Sequence, residues 1–268
     1  MPDNPRATSL NGILAVTRSR VAALEGRAKQ LERAAAAVPA PRPFPQPGPT
    51  VGVIAEVKRR SPSQGAIRED LDPVAHADAY ERGGAVAVSV LTDEAHFGGS
   101  IDDLRRVSAS ISVPVLRKDF VIDKVQIPEA RAAGASAVLL IARVLKAAEL
   151  KTLATAVREW QMVPLIEVHT ANELEAALDA GPSVIGVKAR DLESFVVDLG
   201  AAEKLLARVP ASVPVVAESG VETRTDVERL AAAGADFVLV GTSVARQVDP
   251  ESAVRGLVGV KRHAGVRT

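Results

Sequence analysis

The chain has 268 residues, 47% of them hydrophobic and 3% aromatic, with 33 basic and 33 acidic side chains and no cysteine. That apolar content excludes global disorder, and a core built from Ala, Val and Leu suits an α/β protein with buried parallel strands, in one large domain or two small ones. Zero net charge argues against nucleic acid or an anionic membrane as the main partner, and the missing thiols exclude disulfides, thiolate catalysis and a Cys-ligated metal.

The four histidines, His76, His96, His169 and His263, show no HxxxH or HExxH spacing, so no metal site is expected. Met1-Pro2-Asp3-Asn4 lacks the basic start and apolar run of a signal peptide, and no apolar run is long enough to span a bilayer. A cytoplasmic protein is the expectation.

Residues 9 to about 37 carry Leu10, Ile13, Leu14, Val21 and Leu24 at helical spacing, which predicts one or two amphipathic helices with Gly26 as a break. Its apolar stripe needs cover, which favours a docked helix over a disordered extension. Residues 38–48 hold five prolines and form a stiff connector. Residues 1–48 are thus an N-terminal helical extension with a Pro-rich connector, and 49–268 the main domain.

From residue 49 a repeat appears. Val113-Pro114, Val163-Pro164 and Val213-Pro214 each open a short apolar run, and between them Gly84, Gly134, Gly181 and Gly234 each close a helical stretch before the next run. Eight strands are predicted, starting near 51, 85, 114, 136, 163, 183, 213 and 236. Helical patterns follow each: Pro73–Arg82, Ile101–Ser108, Ile127–Ala133, Leu145–Trp160, Ala171–Ala180, Gly200–Arg208, Thr223–Ala233 and Glu251–Arg262. Strand–helix alternation means right-handed βαβ units, and eight of them predict a closed (β/α)8 TIM barrel. The rival is a doubly wound open sheet, but no Gly-rich dinucleotide loop follows the first strand.

Active groups of such barrels gather at the C-terminal ends of the strands. Here those ends carry Glu56 and Lys58, Arg117-Lys118-Asp119, Glu167, Lys188-Ala189-Arg190-Asp191 and Glu218. Residues two apart on a strand share a face, so Glu56 and Lys58 point the same way, just before the loop Ser61-Pro62-Ser63. The competing reading of that pair is a solvated edge-strand ion pair; the sorting of charge to one end of many strands argues for a site. Ser219-Gly220 and Gly241-Thr242-Ser243 end strands 7 and 8, where barrels often seat phosphate on backbone N–H groups. The ligand expected is a phosphorylated small molecule. Lysines and glutamates sharing one cavity suit proton transfer, and the residues leave open whether Lys118, Lys58 or Lys188 protonates or forms a Schiff base.

At these stretches the chain resembles the indole-3-glycerol phosphate synthase family: IAEVKRRSPSQG (54–65), SVLTDEAHFGGS (89–100), LRKDFV (116–121), PLIEV (164–168), IGVKARDL (185–192), VAESGV (216–221) and LVGTS (239–243). The resemblance implies a carboxy-lyase of tryptophan biosynthesis that needs neither cofactor nor metal. It implies Lys118 as general acid on the ketone, Glu167 and Lys58 in later proton transfers, and Lys58 also on the substrate carboxylate. Glu56 and Glu218 would position these lysines, with Arg190 in support. Ser61, Ser219, Gly220, Gly241 and Thr242 would cradle the phosphate, and Phe97 and Phe120 would line the pocket for the aromatic ring. Three positions depart from the family pattern: Thr242 replaces Ser, Gln64 replaces Lys, and Lys188 stands where the family has Asn. A third lysine is expected to lower the pKa values of Lys58 and Lys118 or to turn outward. A related phosphosugar-binding barrel with altered or lost activity is the alternative that Lys188 raises, and a barrel that binds without turnover is a third.

Overall fold

The computed structural model describes residues 9–182, 184–191, 194–263 and 265–267. Residues 1–8 and Leu192 of the IGVKARDL stretch lie outside them. Strands β1 (Gly52–Val57), β2 (Ala87–Leu91), β3 (Val115–Lys118), β4 (Ala137–Ile141), β5 (Val163–Val168), β6 (Val184–Lys188), β7 (Val215–Glu218) and β8 (Phe237–Val240) pair in parallel with their sequence neighbours, and β8 closes onto β1. The result is the closed (β/α)8 barrel expected. All eight observed starts fall within two residues of the predicted ones.

Period-two alternation divides each strand between two cores. Val53, Ala55, Val57, Val88, Val90, Val138 and Leu140 face outward, into the layer between strands and helices. Ile54, Ala87, Leu116, Leu139, Leu165, Val216, Phe237 and Leu239 face inward and fill the lumen. Gly84, Gly134, Gly181 and Gly234 all have positive φ, as their helix-ending role requires. Ser100, Thr170, Asp198 and Thr223 cap the helices that follow them, each side chain accepting a backbone N–H.

The extension is docked. Helix α1 (Leu10–Glu25) and helix α2 (Ala28–Ala37) are separated at Gly26-Arg27. Ile13 and Leu14 join the lumen cluster at the mouth, and the Arg20 guanidinium holds Asp119 through two 2.8 Å hydrogen bonds. Val21, Leu24 and Leu31 pack on Val125 beside the helix Gln126–Ala132. The connector, held by Arg131 on the carbonyls of Val38 and Pro39, then brings Phe44 edge-on to Phe237 at the bottom of the barrel.

One predicted helix is wrong in extent. The pattern at Glu251–Arg262 predicts a long helix, but the structure has Pro250–Arg255 only. Gly256 caps it and Gly259 turns the chain with φ 80°. Lys261 then bridges to Thr50, and Arg262 reaches Asp236 under the barrel, which a continued helix would prevent. Three small elements were not predicted: the hairpin Arg60–Ser61/Gly65–Ala66 and the one-turn helices Glu94–Phe97 and Thr242–Ala245.

Candidate active site

The alternation that fills the lumen also builds the site. Continuing two residues past an inward apolar side chain gives Ile54→Glu56→Lys58, Leu116→Lys118, Leu165→Glu167, Val216→Glu218 and Leu239→Gly241, reading along one face of each strand. The register sets these groups side by side: Glu56 lies opposite Ser89, Ile141 opposite Glu167, and Lys188 opposite Glu218. The polar layer therefore lies directly on the apolar lumen, at the C-terminal mouth.

That layer floors a cavity of about 370 Å³. Thirteen of the fourteen expected site residues line it, from Glu56, Lys58, Lys118, Glu167 and Lys188 at the base to Ser61, Ser219, Gly220, Gly241 and Thr242 at the rim. The fourteenth, Glu218, lies beneath it. Lys118 Nζ sits 3.0 Å from Glu167 Oε2 and 3.1 Å from Glu218 Oε2. Lys188 Nζ reaches the same two oxygens at 3.0 and 3.3 Å. Lys58 Nζ pairs with Glu56 Oε1 at 2.9 Å. Three ammonium groups thus face three carboxylates in one cup.

Burial and charge pull these groups apart in acidity. Burial favours the neutral form of Glu56, but Lys58, Lys118 and Lys188 outweigh it and hold the carboxyl below its usual range. For Glu167 burial is likewise the largest single influence, and Lys118, Lys188 and His169 together overcome it, leaving the carboxyl well below normal. For Glu218 burial wins, helped by the charge of Glu167, and its carboxyl is pushed up despite Lys118 and Lys188. Burial also opposes the charge on Lys118, but Glu167, Glu218 and Glu56 raise it well above the normal lysine value. The expectation that Lys188 turns outward is corrected here: its side chain points inward, onto the two carboxylates that also hold Lys118. Lys118 stands above the normal lysine value because Glu167, Glu218 and Glu56 outweigh its burial.

The rim is built from tight backbone turns. Ser219 and Gly220 have φ of 71° and 77°, a turn that two successive L side chains seldom adopt. Gly241 precedes Thr242–Ala245, whose first N–H groups have no partner within the helix. A Cβ on Gly241 would come within 2.6 Å of Glu56 Oε1 and 2.9 Å of Lys58 Nζ, so glycine lets the strand end approach the acid–base pair. Phe97 and Phe120 lie 6.5 Å apart at a 40° tilt on the wall. Arg190 lines the cavity, with its guanidinium donating to the carbonyl of Phe195 at 3.0 Å.

Sequence reasoning missed two members. Gly186, mid-strand on β6, makes room for Glu218: a Cβ there would meet Glu218 Oε1 at 2.4 Å and Leu165 Cδ2 at 2.8 Å. A glycine inside a strand often marks such an approach, so the signal was present. His169, two residues beyond Glu167 on the same face, places Nε2 3.9 Å from Glu167 Oε1 and Nδ1 3.3 Å from Glu173 Oε2. The period-two rule that found the others points to it as well. Among the described residues no group of three His, Cys, Asp or Glu side chains is arranged to hold a metal ion, and no helix is long and apolar enough to cross a membrane.

The architecture recurs in solved structures of low identity. A thiamine phosphate pyrophosphorylase from Pyrococcus furiosus (17% identical, TM-score 0.58, 77% of this chain and 93% of the other) and a 3-hexulose-6-phosphate synthase from Salmonella typhimurium (14%, 0.63, 77% and 96%) share the fold. Sequence similarity goes further. Indole-3-glycerol phosphate synthase of Mycobacterium tuberculosis is 46% identical over 263 residues, covering 96% of each chain, and that of Kineococcus radiotolerans is 46% identical over 271 residues, covering 97% of this chain and 98% of the other. The model of this family matches residues 10–257, from the first helix at the mouth to the last turn under the barrel, and the chain belongs to the indole-3-glycerol phosphate synthase family.

Proposed function

We propose that the cup closes the indole ring of 1-(2-carboxyphenylamino)-1-deoxyribulose 5-phosphate, with loss of CO2 and water, through the residues named above. The observation that carries this is the position of Lys118: an ammonium clamped between Glu167 and Glu218 at the floor of a cavity rimmed by the turns Ser219-Gly220 and Gly241-Thr242. In this reading the phosphate rests on Ser219-Gly220 and Gly241-Thr242, with Ser61 from the hairpin. The carboxyphenyl ring lies along Phe97 and Phe120, and Lys58 holds its carboxylate.

Lys118 then protonates the ketone oxygen as the ring carbon attacks. The group is buried, so its charge acts in a medium that weakens it little, and its partners are already fixed before the reaction begins. Loss of CO2 restores the aromatic ring. Lys58 protonates the departing hydroxyl, and Glu167 takes the proton from the carbon beside the nitrogen, which completes the indole. Glu56 and Glu218 hold the lysines, and Arg190 braces the strand-6 loop. Lys188 supports this reading as the second cation on Glu167 and Glu218, matching three carboxylates with three ammonium groups. Cytoplasmic residence is part of the proposal.

The test is to mix the protein with this substrate and follow indole fluorescence. Appearance of product at catalytic protein concentration is expected. Phosphate-dependent thermal stabilisation with no product would overturn the reading in favour of a barrel that only binds.

A further inference from the structure

The reaction has a proton balance that the cup alone does not close. Two protons enter the substrate, one on the ketone oxygen and one on the hydroxyl that leaves as water. One leaves, from the carbon beside the nitrogen. The electron pair freed with CO2 accounts for the difference, so each turnover draws one proton from outside. Once Lys118 has given its proton it is an amine, buried under bound substrate, and the acids within its reach are Glu167 and Glu218.

Glu167 has an unused side. Its Oε2 serves both lysines, whereas its Oε1, fully buried, has no hydrogen-bond partner. The facing atom, His169 Nε2, is buried and unpartnered too, 3.9 Å away. Buried polar atoms are rarely left so, and here two of complementary chemistry face each other. The gap exceeds a hydrogen bond, so proton transfer requires the two side chains to approach by somewhat under an ångström, to about 3 Å. On the far side of the ring, Glu173 Oε2 takes the His169 backbone N–H at 2.6 Å and faces Nδ1 at 3.3 Å. That carboxylate fixes a proton on Nδ1 and leaves Nε2 as the exchanging nitrogen. Glu173 is itself steadied by Arg143, 3.1 Å from its other oxygen, and Arg143 holds Asp191 at the cavity wall at 2.7 Å.

We propose that His169 is a positioning residue that keeps a reserve proton behind Glu167 and recharges Lys118 through it; the inference rests on Glu167 being a proton carrier in the reaction above. The imidazolium gives its Nε2 proton to Glu167 Oε1 and becomes neutral, with the remaining proton on Nδ1 held by Glu173. The Glu167 carboxyl then turns to bring its protonated oxygen to Lys118 and gives that same proton to the amine, which becomes an ammonium again, and the carboxylate is restored to take the proton from carbon. When product leaves, Glu167 returns the proton it took from carbon to His169, and solvent reprotonates Lys58, which supplies the one proton each turnover draws. The charged groups around the imidazole are Glu167 on its own strand and Glu173 on the next helix. Behind them stand Lys118 from β3, Lys188 from β6, Arg143 after β4 and Asp191 after β6.

His169→Asn keeps a donor near the Nδ1 position for Glu173 and removes Nε2. The variant is expected to keep the parent's melting temperature and KM and to lose kcat by roughly a hundredfold, the lower end of the range for one general acid–base group. The parent's kcat should also fall with rising pH as the reserve proton is lost, a limb that the variant lacks. A variant with the parent's kcat and pH profile would overturn the proposal. If His169→Asn does not accumulate folded, His169→Gln, whose amide carries no titrating proton, decides on the same two readouts. Glu167→Gln separates the two levels: full activity in that variant overturns the role of Glu167 itself, whereas its loss beside an unaffected His169→Asn overturns only the reserve.

Discussion

The two ends of the barrel each bury carboxylates, and they treat them in opposite ways. At the bottom Asp236, 1% exposed, takes Arg262 on Oδ1 and Arg267 on Oδ2, and Oδ2 also accepts the Val215 N–H at 2.9 Å. Both oxygens are used, and both cations are arginines, which do not give up protons in this setting. At the mouth Glu167, also 1% exposed, takes lysines only and leaves one oxygen unpartnered. Equal burial thus serves two ends. Fully paired to guanidinium it pins Arg262 and Arg267 under the barrel, and paired to titrating ammonium groups it keeps protons available.

The largest effect expected from this contrast is on stability, at the bottom. Asp236→Ala leaves two guanidinium groups without their partner, and breaking a buried pair on one side costs about 3–5 kcal/mol. Urea unfolding should show that loss, while kcat per folded molecule stays at the parent value. A fall in kcat with unchanged unfolding would erase the distinction between the ends. Gly186→Ala sharpens it from the other side. The new methyl must displace Glu218 or Leu165, at about 1–3 kcal/mol of overpacking, and by moving a carboxylate of Lys118 it should lower kcat about tenfold. Turnover and unfolding measured on one preparation check both effects.

The smallest effect concerns pH. Glu218 is raised and Glu167 lowered, so in a carbon-13 titration of the carboxyl groups Glu218 should gain its proton first as pH falls and Glu167 last. The linkage follows in sign. Glu167, folded below its unfolded value, contributes stability above ordinary carboxylate pH that is lost as pH falls through its folded value. Lys118, folded above its unfolded value, contributes stability at neutral pH that is lost only as pH rises through its folded value. Lys188→Asn removes one cation from Glu167, so the Glu167 titration and the acid limb of kcat/KM should both move to higher pH. An unmoved limb would mean that Lys188 does not act on that carboxylate.

Much of this was legible in the chain because barrel strands repeat one grammar. An apolar run, a polar pair at its end and a glycine before the next run mark where each strand stops, and strand parity then predicts that Glu56 and Lys58 meet. The N-terminal helices showed through the spacing of Leu10, Ile13, Leu14, Val21 and Leu24. What the chain did not show depends on register between strands and on contacts distant in sequence. That Lys118 and Lys188 share the same two oxygens follows from the stagger that sets Lys188 beside Glu218. The Arg20–Asp119 clasp joins residues 99 apart, and no local pattern announces it. The short last helix was misread for the same reason: Arg262 continues a helical pattern locally, yet its partner Asp236 lies under the barrel.

The most direct test is Lys118→Ala, with turnover and urea unfolding measured on the same sample. Turnover should fall by at least about a thousandfold, the upper range for a general acid held among fixed charges. The unfolding free energy should change far less than in Asp236→Ala, because Lys188 remains on Glu167 and Glu218. Substantial turnover in this variant would contradict the account, whatever its stability.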